Sequence, residues 1–170
     1  MSDTMRAAVF YGPKDLRMEE RPVPEVGPTD VLMKVRAATT CGTDVKTYFR
    51  GHPNMFPPSL FGHEAAGDIV AVGEEVVGIR EGMRVATGNT GPCGTCFFCK
   101  RGQPNLCEFQ RTHLLNGSYA DYLLVPQHIW RMNAFEIPDN VSYAAAALVE
   151  PLSCVAYGID QSEILSLIHI

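Results

Sequence analysis

Cys93, Cys96, Cys99 and Cys107, four of the six cysteines in this 170-residue chain, follow the spacing Cys-x2-Cys-x2-Cys-x7-Cys and bring four thiolates within reach of one ion. Gly91, Pro92, Gly94, Gly102 and Pro104, beside and between them, supply the tight turns that such convergence needs. Four sulfurs satisfy the tetrahedral shell of a closed structural zinc and leave no position for a substrate. Iron suits the same sulfur set. Unliganded core thiols fit less well, because Lys100, Arg101 and Gln103 among them are not core residues. The two cations would instead help to keep the thiolates deprotonated. Disulfides are disfavoured by the crowding and by an N-terminal stretch with no export signal.

Three further groups offer metal donors: Cys41-Gly42-Thr43-Asp44, Gly62-His63-Glu64 and Glu150-Pro151. Each alone has an ordinary reading. A single cysteine is commonly a small buried hydrophobe, a His-Glu pair at a strand end is commonly a surface pair, and Thr43 and Asp44 suit a helix N-terminus. Glu150 is less ordinary, since a carboxylate closing the apolar run Ala144 to Val149 requires a partner. Neighbours in an extended segment face opposite ways, so His63 and Glu64 can share an ion only if the backbone twists there, which Gly62 permits.

These side chains need a scaffold, and the first third of the chain reads as short strands divided by turns: Met5 to Tyr11, Leu16 to Glu20 and Val31 to Ala38. Cys41 to Arg50 suits a short helix, and Gly51 to Pro58, with Pro53, Pro57 and Pro58, a loop. Gly62 to Gly73, Met83 to Thr87 and Tyr119 to Val125 read as further strands, with Gly88 to Leu106 an excursion that holds most of the cysteine cluster. Ser142 to Tyr157 reads as a helix that Pro151 bends or breaks, with Cys154 as a packing thiol. The expected class is mostly β (α+β), a small barrel or sandwich.

The length suits one globular domain, and a net charge of -5 without a basic run gives no footprint for nucleic acid or anionic lipid. No window approaches a membrane span, and the expected location is the cytoplasm. A Gly-x-Gly-x-x-Gly fingerprint is absent from the 170 residues, so no cofactor-binding residue is assigned.

In this order, and with the cysteine loop between them, the elements resemble the zinc-dependent medium-chain dehydrogenase/reductase (alcohol dehydrogenase) family, in particular its sorbitol and threonine dehydrogenase branch. The likeness runs from Met5 to about Gly158. It rests on Met5-Arg6-Ala7-Ala8-Val9, Cys41-Gly42-Thr43-Asp44, Gly62-His63-Glu64-Ala65-Ala66-Gly67, Gly82-Met83-Arg84-Val85, the cysteine loop, Gly117-Ser118-Tyr119-Ala120-Asp121-Tyr122 and Glu150-Pro151-Leu152. The resemblance implies a GroES-like, partly open barrel, a structural zinc on the four cysteines, and a catalytic zinc held by Cys41, His63 and one or both of Glu64 and Glu150. A zinc with an open position binds the substrate oxygen and lowers its pKa. The resemblance also assigns Thr43 to accept a hydrogen bond from the substrate hydroxyl and pass its proton outward, while Asp44 would orient His63. The branch would carry a histidine where this chain has Lys46, which then meets an anionic or strongly polar substrate group or lies on a solvated helix face.

The implied activity is hydride transfer between a secondary alcohol (polyol, sugar or amino alcohol) and NAD or NADP in the complete enzyme, a homo-oligomer. Residues 1–158 are read as the catalytic domain, and 159–170 as the truncated start of a linker to a missing nucleotide-binding domain. Leu165 to Ile170 matches one reading frame of a common sequencing-adapter end, which removes His169 from the ligand candidates. The fragment alone is expected to be inactive. A non-catalytic zinc-binding GroES-like module has no need for Cys41, Thr43, His63 and Glu150 together, and a zinc-free reductase would lack the cysteine loop.

Overall fold

A computed structural model describes residues 3–110 and 112–162, so Leu165 to Ile170, with His169, lie outside the described residues. Thr4–Gly12 (β1) and Asp15–Pro22 (β2) form an antiparallel hairpin, and the two-residue strand Ser59–Leu60 (β4) pairs with the other side of β1. The second sheet is built on Val31–Thr39 (β3) and Glu64–Val72 (β5), flanked by Arg84–Thr87 (β6), Tyr122–Val125 (β7) and Ala134–Glu136 (β8) in the order β7-β3-β5-β6-β8. Among the described residues every pairing is antiparallel, and an isolated bridge links Ala7 of β1 to Ala120, two residues before β7. The expected mostly β, partly open architecture is what the chain adopts.

The strand pattern explains where the core sits. After Glu64, β5 runs Ala65-Ala66-Gly67, residues small enough for close packing on both faces, and a Cβ at Gly67 would collide with the Lys34 carbonyl of β3. Val31, Met33, Ile69, Val85, Leu123 and Val125 fill one face, closed by Ile129 and Trp130 of a short helix, Gln127–Asn133 (α2). The Trp130 indole N–H donates to the Thr29 carbonyl at 2.8 Å, satisfying its one polar atom. On the other face Ala66 and Ala86 meet Ala146 and Ala147 at the end of Tyr143–Ala146 (α3).

The long C-terminal helix expected from Ser142 is broken, but not where Pro151 stands. α3 ends at Ala146, and Val149–Ser162 (α4) begins beyond Ala147 and Leu148. Pro151 falls in the first turn of α4, where its missing N–H leaves no helical bond unmade. α4 buries none of its residues, exposes Leu152, Val155, Tyr157 and Ile159, and passes through Gly158 without a break. Sequence reading missed α2, β4 and β8, elements of two to seven residues whose patterns are too short to show a period. No helix among the described residues is long and apolar enough to cross a membrane.

Candidate functional site

β3 ends at Thr39, and the chain turns through Thr40 and Cys41 into the helix Gly42–Arg50 (α1). Cys41 is the N-cap: its Sγ accepts the Thr43 N–H at 3.4 Å, and its own N–H donates to Asp44 Oδ2 at 3.0 Å. Asp44 does more than cap the helix, because its other oxygen, Oδ1, lies 3.0 Å from Nδ1 of His63, with both side chains buried. The carboxylate only accepts, so Nδ1 carries the hydrogen and Nε2 is left to face a metal.

His63 and Glu64 arrive at the start of β5 through Gly62, whose φ of +83° is open to glycine. That twist brings both neighbours inward, and the donor atoms of Cys41, His63 and Glu64 all lie within 4.8 Å of one another. Glu64, fully buried, accepts a hydrogen bond from the Thr39 hydroxyl, its cross-strand partner in the β3–β5 register. Thr39 escaped sequence reading, and Tyr119, whose hydroxyl reaches Asp44, entered it only within a shared stretch and without a role; register and a side chain arriving from a distant segment are properties of the fold.

Three carboxylates, one thiol and one imidazole share this region, and neighbouring charges and burial shift Asp44, His63 and Glu150. The Asp44 hydrogen bond pushes His63 up to about 9 against the opposing effect of burial. Burial alone would raise Asp44, but His63 and the Cys41 N–H outweigh it and hold it below the usual aspartate range. Glu150 is raised, first by burial and then by Glu64 and Asp44, with His63 opposing. A water-poor set with more anionic than cationic groups fits a divalent cation, and its sulfur, nitrogen and oxygen donors suit zinc.

Cys41 and His63 open on a cleft of about 360 Å³ whose wall includes Thr43, Asn54, Asn89, Asn116 and Glu150. Glu150 thus shares the cleft with Cys41 and His63, but it is not one of the three residues whose donor atoms converge within 4.8 Å. Lys46 lies exposed on α1 and is not part of the cleft wall. Cys154 corrects its sequence reading as a packing thiol: α4 has no buried face, and this cysteine is exposed on the cleft one helical turn beyond Glu150.

The four sulfurs of Cys93, Cys96, Cys99 and Cys107 also lie within 4.8 Å of one another, drawn together by two 3₁₀ turns, Cys99–Arg101 and Pro104–Leu106. Gly102 ends the first turn in the left-handed region. Cys93 is pushed down to about 6, first by the Thr95 hydroxyl and then by the N–H groups of Thr95 and Cys96. Cys96 is lowered by the N–H groups of Cys99 and Glu108, whereas burial and the neighbouring thiols push Cys99 up to about 12. Backbone N–H groups and Thr95 therefore do what sequence reading gave to Lys100 and Arg101, and Arg101 lies over the Phe97 ring at 3.6 Å. Four converging sulfurs are a set that one cation would complete, with every donor used.

Residues 27–139 match the family described as alcohol dehydrogenase GroES-like domain. The chain is 38% identical over 155 residues to a sorbitol dehydrogenase of Bacillus subtilis, covering 88% of this chain and 43% of that protein. It is 38% identical over 153 residues to an L-threonine 3-dehydrogenase of Pectobacterium atrosepticum, covering 86% of this chain and 41% of that protein. Among solved structures, a thermostable alcohol dehydrogenase from Pyrobaculum aerophilum with cobalt and zinc bound superimposes with a TM-score of 0.82 at 27% identity, over 96% of this chain and 50% of that one. The chain thus spans less than half the length of the two dehydrogenases it matches in sequence.

Proposed function

The chain belongs to the alcohol dehydrogenase GroES-like domain family, and we propose that it is the catalytic half of a zinc-dependent dehydrogenase that oxidises a secondary alcohol of a polyol, sugar or amino alcohol with NAD or NADP. The observation that carries this is the convergence of Cys41, His63 and Glu64, the first two of them on the wall of a cleft that also presents Thr43 and Glu150. Residues 1–158 form the catalytic domain, and a nucleotide-binding domain supplied by the rest of the protein brings the dinucleotide. The four-thiolate loop holds a structural zinc.

Bound in the cleft, zinc supplies Lewis acidity toward the substrate oxygen. Cys41, His63 and Glu64 would hold it, and Glu150, on the wall of the same cleft, would be the alternative carboxylate ligand. Asp44 keeps the His63 ring turned with Nε2 toward the metal. Thr43, two residues after Cys41, accepts a hydrogen bond from the substrate hydroxyl and passes its own proton outward. The cleft amides of Asn54, Asn89 and Asn116 suit a substrate with several hydroxyls.

Metal analysis of the chain purified under reducing conditions with zinc supplied tests the reading. Two ions are expected, falling to one in Cys41→Ala; one ion or none in the parent chain would overturn it. Joined to the rest of its protein, the chain should turn over a polyol with NAD(P), with Thr43→Ala lowering kcat more than it raises KM.

A further inference from the structure

We propose that Tyr119 is a positioning residue for the cleft donor set, its hydroxyl anchoring Asp44 so that Asp44 in turn fixes the His63 ring. The inference rests on the reading of Cys41, His63 and Glu64 as a metal site. The Tyr119 oxygen lies 3.0 Å from Asp44 Oδ2, 3.0 Å from the Thr39 carbonyl and 3.1 Å from Thr40 Oγ1. Asp44 Oδ2 already receives the Cys41 N–H, and Oδ1 takes the His63 Nδ1 hydrogen. With donors on both oxygens the carboxylate plane cannot swing, and neither can the imidazole it holds.

The other end of Tyr119 is fixed just as firmly. Its N–H donates to the Phe61 carbonyl at 3.0 Å, and its carbonyl accepts the Ala8 N–H at 2.8 Å. Its ring packs at 5.8 Å from Phe61 and lies against Gly62, where an added Cβ would come within 2.6 Å of it. One side chain therefore braces the backbone that delivers His63 and grips the carboxylate that aims it. Burial pushes the phenol up to about 12, so it remains a donor through neutral pH. Thr40 can donate to the phenol oxygen, which leaves the phenol hydrogen for Asp44 or Thr39.

Tyr119→Phe keeps the ring and removes only the oxygen. Chelator competition on the zinc-loaded chain should show the cleft ion weakened roughly 3- to 10-fold, less than the 10- to 100-fold typical of a direct partner of a ligating histidine. The four-thiolate ion should be unchanged. In an Asp44→Asn background the same substitution should add less than about 2-fold, because the two act through one path. In the metal-free chain, Tyr119→Phe should speed solvent exchange of the His63 Nδ1 hydrogen. Unchanged zinc affinity, an equal loss in both backgrounds, or equal weakening of both ions would overturn the assignment. A parent chain that holds only the loop ion would overturn the metal-site reading with it, whereas two ions and an indifferent Tyr119→Phe would sink the positioning role alone.

Discussion

The two donor sets differ in how the chain makes them. The four-thiolate loop comes from one short stretch, Cys93 to Cys107, held by turns and backbone N–H groups within that stretch. The cleft set comes from the end of β3, the start of α1 and the start of β5, and two of its three donors are steered by a residue of another element: Glu64 by Thr39, His63 by Asp44. A local set is closed by its own sequence and can serve only to hold the loop. A set assembled by the fold can leave a position open, because the scaffold around it supplies what a fourth donor would otherwise supply.

The contrast is sharpest in Cys96→Ser. Loss of one of four thiolates should weaken the loop ion by more than the roughly 10- to 100-fold associated with outer-sphere changes, and the melting temperature should fall with it. The cleft ion, counted in the same metal analysis, should stay. Asp44→Asn makes the reciprocal case, weakening the cleft ion by about 10- to 100-fold and leaving the loop ion in place. If either substitution released both ions, the two sets would not be independent. Graded chelation should remove the cleft ion first, since an open shell admits a competing ligand and a filled one does not. Simultaneous release, followed by metal counting, would contradict the open-versus-closed distinction.

The smallest effect lies away from both sets. Asp68 on β5 receives hydrogen bonds from Tyr143 at the start of α3 and from Arg36 at 2.7 Å, and Arg84 reaches the carbonyls of Pro138 at 3.1 Å and Val141 at 2.7 Å. This brace seats the segment that leads to Glu150. Burial alone would raise Asp68, but Tyr143 and Arg36 outweigh it and hold it below its usual range. A depressed carboxylate stabilises the fold above its unfolded pKa of about 4, and that contribution is lost as pH falls through the lower folded value. Tyr143→Phe should cost about 1 kcal/mol at neutral pH, measured by denaturant unfolding, and flatten the acid limb of the stability profile. Metal content at neutral pH should not change.

What the sequence disclosed follows the same division. The cysteine spacing and the turn residues within it sufficed for the loop, because distance along the chain and distance in space nearly coincide there. β1, β3, α1 and β5 were legible within a residue or two from apolar runs and breakers. The cleft was legible only as three separate fragments until a family resemblance joined them, since nothing in Cys41 or Glu150 alone states which residues they will face. Thr39 was invisible for the same reason: its role exists only in the register that sets it opposite Glu64. Cys154 was misread because an apolar helical pattern implies a buried face, and α4 has none among the described residues.

That register has a consequence for how the site opens. The β3–β5 ladder shifts between Val35 and Ala37, so the rungs Ala37–Ala66, Ala38–Ala65 and Thr39–Glu64 form a short terminal flap beyond the irregularity. Ladders fray from their ends, and a bulge confines the fraying to the segment beyond it. Glu64 sits on the last rung, and Cys41 follows two residues after Thr39. An ion held by Cys41, His63 and Glu64 would act as a rivet through that corner, which without it would part and re-form while the rest of the sheet stays paired. Amide protons of Ala38 and Ala65 should therefore exchange slowly only when the rivet is in place, while that of Leu32, on the far side of the bulge, keeps the same time whether it is there or not.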